Sequence, residues 1–187
     1  AAQLAFLEET LPEYATEYAP ETNGGLSLLD AFVLYATVRA RKPSLMVEIG
    51  GGDSTLITLR ALAANRAEGH PGKLVCIEPY PRPMLGAIDS PDFELVEMLV
   101  QDVALSMFEG ADIIFIDSSH VSKIGSDVNH EMFEIVPRAK IGCLIHWHDI
   151  VLPTNYWRDW THSGGQFWNE SYLLHAFLSF NSAFAVR

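Results

Sequence analysis

The chain opens on an acidic, helix-like stretch over residues 1–22, interrupted by proline and closed by a turn signal at Asn23-Gly24-Gly25. Ser27 then reads as an N-cap, with Asp30 three residues on as a weaker form of the capping-box acid. Leu28, Leu29, Phe32, Val33, Tyr35, Ala36 and Val38 form an apolar stripe at helical spacing, and Pro43 ends it. Beyond Pro43 short apolar runs alternate with helical patterns. Strands are predicted at 45–49, 73–78, 93–100, 112–117 and 141–149, and a sixth starts at 183–186. Helices are predicted at 54–64, 127–136 and 172–180, with Pro79 and Pro137 acting as stops.

Strands that read as continuous apolar runs between helices predict parallel βαβ units with both sheet faces covered. The expected fold is α/β: a doubly wound, mostly parallel, Rossmann-like sheet. The pattern stops at Arg187 inside the sixth strand, so the last strand of such a sheet is expected to be missing. The chain also begins at Ala1, which places its natural start upstream as an expectation. Residues 1–26 read as an N-terminal helical cap and residues 27–187 as the main domain.

Length and composition narrow the classes. The 187 residues suit one domain, and 49% apolar with 19% charged residues suits a globular one. No apolar run approaches the roughly 20 residues of a membrane helix, and no secretory signal pattern opens the chain. The net charge of −12 argues against nucleic acid as a partner, because phosphate binding needs a basic patch. The expected compartment is the cytoplasm. Cys76 and Cys143 fall in the second and fifth predicted strands. Three strand spacings put them roughly 14 Å apart, beyond the Cα limit of about 7 Å for a disulfide. No bridge is expected, as in a reducing compartment.

The first strand ends in Glu48-Ile49-Gly50-Gly51-Gly52-Asp53-Ser54-Thr55. A strand, a glycine turn and a helix place a ligand at the carboxyl edge of a parallel sheet. The dinucleotide pattern G-x-G-x-x-G fails at its third glycine, where Thr55 stands. Glu48 and Asp53 would also repel a pyrophosphate held at the helix N-terminus. They suit S-adenosylmethionine, which carries a sulfonium and an ammonium but no phosphate. Glu48, Gly50, Gly51, Gly52 and Ser54 are therefore candidate cofactor residues; alternatively Glu48 only caps the loop by accepting backbone N–H bonds. Glu78, at the end of the second strand, is the candidate acceptor of both ribose hydroxyls. Gln101 and Asp102 follow the third strand, where an adenine edge would lie.

A second constellation follows the fourth and fifth strands: Asp117-Ser118-Ser119-His120 and His146-Trp147-His148-Asp149. In a doubly wound sheet the first, fourth and fifth strands are neighbours, so Asp117, His120, His148 and Asp149 converge above the cofactor loop. Two carboxylates and an imidazole suit a divalent cation, and Asp117, His148 and Asp149 are the candidate ligands of Mg²⁺ or Mn²⁺. Such a cation would lower the pKa of a substrate hydroxyl. Without one, His120 or His148 is the candidate general base, with Asp149 beside it. His146 alternates with His148 and reads as a core residue. Asp127, His130, Glu131 and Glu134 read mostly as a solvated helix face, Asp127 excepted. Four tryptophans, Trp147, Trp157, Trp160 and Trp168, cluster after the fifth strand. That segment reads either as the wall of an acceptor pocket or as the interface of a homo-oligomer.

Glu48-Ile49-Gly50-Gly51-Gly52-Asp53-Ser54-Thr55, Ile116-Asp117-Ser118-Ser119-His120, Asp127 and His148-Asp149-Ile150 resemble the class I S-adenosylmethionine-dependent methyltransferases. The resemblance is to the group with cephalosporin-hydroxylase-like and macrocin O-methyltransferase-like proteins, over roughly residues 22–187. It implies S-adenosylmethionine at Glu48, Gly50, Gly52 and Glu78; Asp117, at the end of the fourth strand, is a further candidate cofactor residue. It implies, as in some members, a metal held by Asp117 and Asp149 with a further ligand at His148. That further ligand can be a carboxylate in the family, and here it is histidine. It implies O-methylation of a small-molecule or sugar-type acceptor. The competing readings are a metal-dependent enzyme of another class, such as a hydrolase, and a non-catalytic nucleoside-binding module. An NAD oxidoreductase is disfavoured by Thr55 and Glu48.

Overall fold

The computed structural model describes residues 2–18 and 26–186, with side chains from residue 8 onward. The expected turn at Asn23-Gly24-Gly25 lies outside the described residues. Five strands form one sheet: β1 (Leu45–Ile49), β2 (Lys73–Ile77), β3 (Phe93–Val96), β4 (Ile113–Ile116) and β5 (Leu144–Trp147). Their order is β3-β2-β1-β4-β5, and every pairing is parallel. The chain therefore winds outward from β1 in both directions, as the alternating pattern predicts. The order reverses at β1 and β4, the topological switch point where ligands of such sheets bind.

Side-chain alternation splits the core in two. Met46, Leu74, Ile113 and Phe115 point to one face, against α2 (Leu28–Arg41) and α3 (Asp53–Ala67). Val47, Ile49, Ile77, Ile114 and Ile116 point to the other, against Phe108 and Ile135. Ser27 caps α2 as expected, its Oγ accepting the Asp30 N–H at 3.2 Å. The stripe of α2 is buried through Ala31, Leu34, Tyr35, Ala36 and Val38, whereas Leu28 and Leu29 face solvent. Helix α1 (Ala2–Tyr14) precedes α2, and Tyr14, Tyr18 and Leu26 join the same core cluster. Arg39, nearly buried, ties this region together by pairing with Glu17 at 2.6 Å and with Asn65 and Glu68.

Four expectations need correction. Strand β3 ends at Val96, not Val100, because Val100–Asp102 coils into a 3-10 turn. The helix expected at 127–136 is α6 (Asp127–His130), then a π turn over Glu131–Ile135 and a 3-10 turn over Val136–Arg138. Glu131 is fully buried rather than solvated: it shares the buried face of Val128, Met132 and Ile135, and Ser118 Oγ donates to it at 3.1 Å. No strand forms at 183–186: the segment turns back, and Phe184 packs on Phe177 with centroids 5.1 Å apart. Two short helices lie between β2 and β4, α4 (Pro83–Gly86) preceding β3 and α5 (Ser106–Glu109) following it. After β5 come α7 (Arg158–His162) and α8 (Glu170–Ser179). Among the described residues, no helix is long and apolar enough to cross a membrane. Cys76, in β2, is buried; Cys143 precedes β5, three strands away in the sheet order.

Candidate active site

The strand registers fix the site. Ile49 pairs with Ile77 on one side and Ile116 on the other, and Ile116 pairs with Trp147. Four chain segments therefore leave the sheet at one level: the glycine loop, Glu78, the Asp117 loop and the His148-Asp149 turn. They enclose a cavity of about 370 Å³, lined by Gly50–Ser54, Glu78, Arg82, Asp117–His120, Asp149, Trp168 and Leu26.

The glycine loop is held from beneath. Glu48 alternates with Val47 and so points to the α3 face, where it is fully buried. The Gly52 N–H donates to Thr55 Oγ1 at 3.1 Å, and Thr55 Oγ1 donates to Glu48 Oε2 at 2.6 Å. Ser54 also hydrogen-bonds to this carboxyl. Burial drives the Glu48 pKa up to about 7, against the lowering effect of those bonds. Gly50 has φ +86°, and a Cβ there would stand 2.0 Å from the Asp117 carbonyl oxygen, so only glycine fits. Gly51 gives its N–H to Glu78 Oε2 at 3.2 Å, and Tyr80 gives its N–H to Glu78 Oε1 at 2.8 Å. Glu78 thus both caps the loop and faces the cavity.

The second constellation forms on the opposite wall as a chain of alternating acids and imidazoles. His120 Nδ1 lies 2.9 Å from Glu170 Oε2, and its Nε2 lies 3.3 Å from Asp117 Oδ1 and 4.0 Å from Asp149 Oδ2. His148 Nδ1 lies 3.4 Å from Asp117 Oδ1 and 3.3 Å from Asp149 Oδ2, and its Nε2 lies 4.0 Å from Asp30 Oδ2. Burial works against charge on both rings, but the carboxylates win: His120 rises to about 9 and His148 to about 10. Burial likewise opposes charge on Asp117, yet hydrogen bonds from the two histidines hold it well below the usual carboxylate range. His146, with its ring on Phe115 at 4.7 Å, is pushed down to about 4 by burial and stays neutral, as a core residue should.

Each side chain of the loop after β4 meets an acid. Ser118 donates to Glu131, Ser119 gives its N–H and Oγ to Asp127 at 2.9 and 2.6 Å, and His120 meets Glu170. Asp117 Oδ1, Asp149 Oδ2 and His120 Nε2 lie close enough together to share one cation: the ligand atoms of these residues all fall within 4.8 Å of one another. Two carboxylate oxygens and an imidazole nitrogen fit a divalent ion, which would displace the proton from His120 Nε2. The imidazole in that grouping is His120, where the sequence spacing pointed to His148. His148 is buried behind the two carboxylates and does not line the cavity.

A family model described as a methyltransferase domain matches residues 47–150, more than half of the chain. The chain belongs to the methyltransferase-domain family. An uncharacterized protein of Archaeoglobus fulgidus is 37% identical over 92 residues, covering 48% of this chain and 40% of that protein. The matched segment thus spans well under half the length of that curated relative. Among solved structures, an SAH-bound methyltransferase of Podospora anserina superposes with TM-score 0.57 and 19% identity, covering 94% of this chain and 79% of that one. The O-methyltransferase TomG of Streptomyces achromogenes, solved with SAM, gives TM-score 0.56 and 19% identity over 94% and 78%. At such identity the likeness is one of fold.

Within this methyltransferase domain, sequence spacing located Gly50, Gly51, Gly52, Ser54, Glu78, Asp117, His120 and Asp149, all on the cavity wall. Glu48 sits beneath the loop rather than on the wall. Gln101 and Asp102 do not line the cavity: with β3 ending early, Gln101 Nε2 turns to the Gly125 carbonyl at 3.0 Å and Asp102 faces solvent. Trp168, one of the four tryptophans read as a pocket wall or an interface, lines the cavity, Glu131 reads in the sequence as solvated, and Arg82 and Glu170 escaped the sequence reading. Arg82 follows a Pro-Tyr-Pro turn that hid its direction, and Glu170 lies 50 residues from the histidine it holds.

Proposed function

We propose that the chain is an S-adenosylmethionine-dependent O-methyltransferase acting on a small hydroxylated acceptor. One observation carries this: the glycine loop with Glu78 and the Asp117–His120–Asp149 cluster face each other across a single cavity. The nucleoside sugar would lie on Glu78 and the sulfonium over Gly50–Gly52. Glu48 acts on the cofactor at one remove, by holding the loop. Residues 27–187 form the catalytic domain on this reading, and residues 1–26 cap it, with Leu26 on the cavity wall. The net charge of −12 supports a small molecule rather than nucleic acid as acceptor.

The transfer needs the acceptor oxygen in line with the methyl carbon and sulfur, and a place for its proton. Asp149, on the cavity wall, accepts the proton as the oxygen attacks. His120, kept charged by Asp117 and Glu170, hydrogen-bonds and positions the acceptor oxygen through Nε2, while the new oxygen–methyl bond forms, the methyl–sulfur bond breaks and S-adenosylhomocysteine leaves. His148 holds Asp117 and Asp149 from behind. Most of the acceleration comes from holding the reactants aligned. A divalent ion held by Asp117, Asp149 and His120 would supply an acceptor hydroxyl of lowered pKa. Methyl transfer from labelled S-adenosylmethionine to a panel of hydroxylated small molecules tests the reading. Asp149→Ala should abolish transfer while leaving S-adenosylhomocysteine affinity unchanged; full transfer by that variant would overturn Asp149's role.

A further inference from the structure

Three consecutive residues grip the loop after β4, and none of them belongs to it. The Trp168 ring packs on the His120 ring with centroids 4.3 Å apart. Asn169 clamps Ser122 from both sides: its Oδ1 accepts the Ser122 N–H at 2.6 Å, and its Nδ2 donates to the Ser122 carbonyl at 3.2 Å. The Asn169 and Glu170 N–H groups donate to the His120 carbonyl at 3.0 and 3.3 Å. Those bonds hold His120 at φ +58°, a conformation that costs a non-glycine residue energy and persists only where neighbours enforce it.

Glu170 completes the grip. Its side chain is fully buried, Oε2 lies 2.9 Å from His120 Nδ1, and Oε1 has no hydrogen-bond partner. A buried carboxylate with one contact is costly unless that contact is strong. We propose that Glu170 is the positioning residue of this site, holding His120 by Nδ1 so that Nε2 is presented to the cavity between Asp117 and Asp149. Two rotations of the imidazole would otherwise exchange the nitrogens. Glu170 removes that freedom, and the Trp168 ring packs against the imidazole at a 44° tilt. The same hold serves whether Nε2 meets the acceptor oxygen or a cation, because a carboxylate on the far nitrogen fixes ring orientation in both cases. The inference rests on the methyltransferase reading for its functional meaning and on geometry for the hold itself.

Proton–nitrogen correlation spectra of the ¹⁵N-histidine-labelled protein test it. The wild type should show a downfield, slowly exchanging His120 Nδ1 proton, assigned by its loss in His120→Gln. In Glu170→Gln it should move upfield, because a neutral acceptor makes a weaker bond than a carboxylate. In Glu170→Leu it should vanish. A signal unchanged in Glu170→Gln, or one that survives in Glu170→Leu, overturns the proposal. S-adenosylhomocysteine titration of the wild-type sample separates the two layers. If it does not bind while the Nδ1 signal behaves as expected, the methyltransferase reading falls and the hold stands.

Discussion

Thr55 Oγ1 donates to Glu48 Oε2 at 2.6 Å while accepting the N–H of Gly52, so one hydroxyl joins a buried acid to the glycine loop. Thr55 occupies the position at which a dinucleotide fold would have its third glycine. The residue that rules out that cofactor class therefore supplies the prop of this loop. The other Glu48 oxygen, Oε1, is buried without a hydrogen-bond partner.

That arrangement sets a pH dependence. The folded pKa of Glu48 is raised to about 7, chiefly by burial. In the unfolded chain a glutamate titrates near ~4.3. The folded state therefore binds the extra proton, and stability contributed at this site is full below about pH 4 and lost as pH rises through about 7. A shift of this size corresponds to roughly 4 kcal/mol. Glu48→Gln should flatten the stability curve between these limits and gain on the wild type at pH 8. Denaturant melts at pH 5 and pH 8 check it; parallel curves for the two proteins would contradict it.

Gly50 and Gly69 share φ +86°, but only Gly50 faces another chain segment. Alanine at Gly69 meets nothing within 4 Å and should cost only the backbone strain, about 1 kcal/mol. Alanine at Gly50 adds a collision with the Asp117 carbonyl and should cost several times more, with loss of cofactor binding. Equal melting midpoints for the two variants would show that the β1 and β4 loops do not meet as described.

Asp112 braces the other edge of the sheet. Burial opposes its charge, but Lys140, Ser44 and the Leu45 N–H outweigh that and hold its pKa well below the carboxylate range. Its contribution is thus present above the unfolded value near ~3.9 and lost as pH falls below it. Asp112→Asn should lower stability at pH 7, and the deficit should shrink on acidification towards pH 3. A deficit constant across that range would assign the effect to packing instead.

The sheet was legible because β1 and β2 are short, largely apolar runs bounded by Gly or Pro and β4 is wholly apolar, and the neighbourhood of the first, fourth and fifth strands follows from winding alone. The glycine loop, Glu78 and Asp117 were legible because strand ends fix where their side chains emerge. What escaped depends on helix phase and long-range contact. Glu131 lies at helical spacing from buried Val128 and beside buried Met132, yet a lone acid reads as solvated until the Ser118 that meets it is in place. Glu170 reads as the start of an amphipathic helix until α8 is docked against the β4 loop. Gln101 and Asp102 were placed by strand length, the least certain feature of the pattern, and β3 stops four residues short. The sixth strand failed because β5 offers an edge that residues 183–186 do not reach, Phe184 being taken up by α8.

The central claim is that the cavity binds S-adenosylmethionine between Glu78 and the Asp117 cluster. Calorimetric titration of S-adenosylhomocysteine into the purified protein, with and without Mn²⁺, tests it most directly. The account predicts saturable, stoichiometric binding that Gly50→Ala abolishes, with Mn²⁺ binding lost on changing Asp117 or Asp149 to Ala. No binding of S-adenosylhomocysteine in either condition would contradict it.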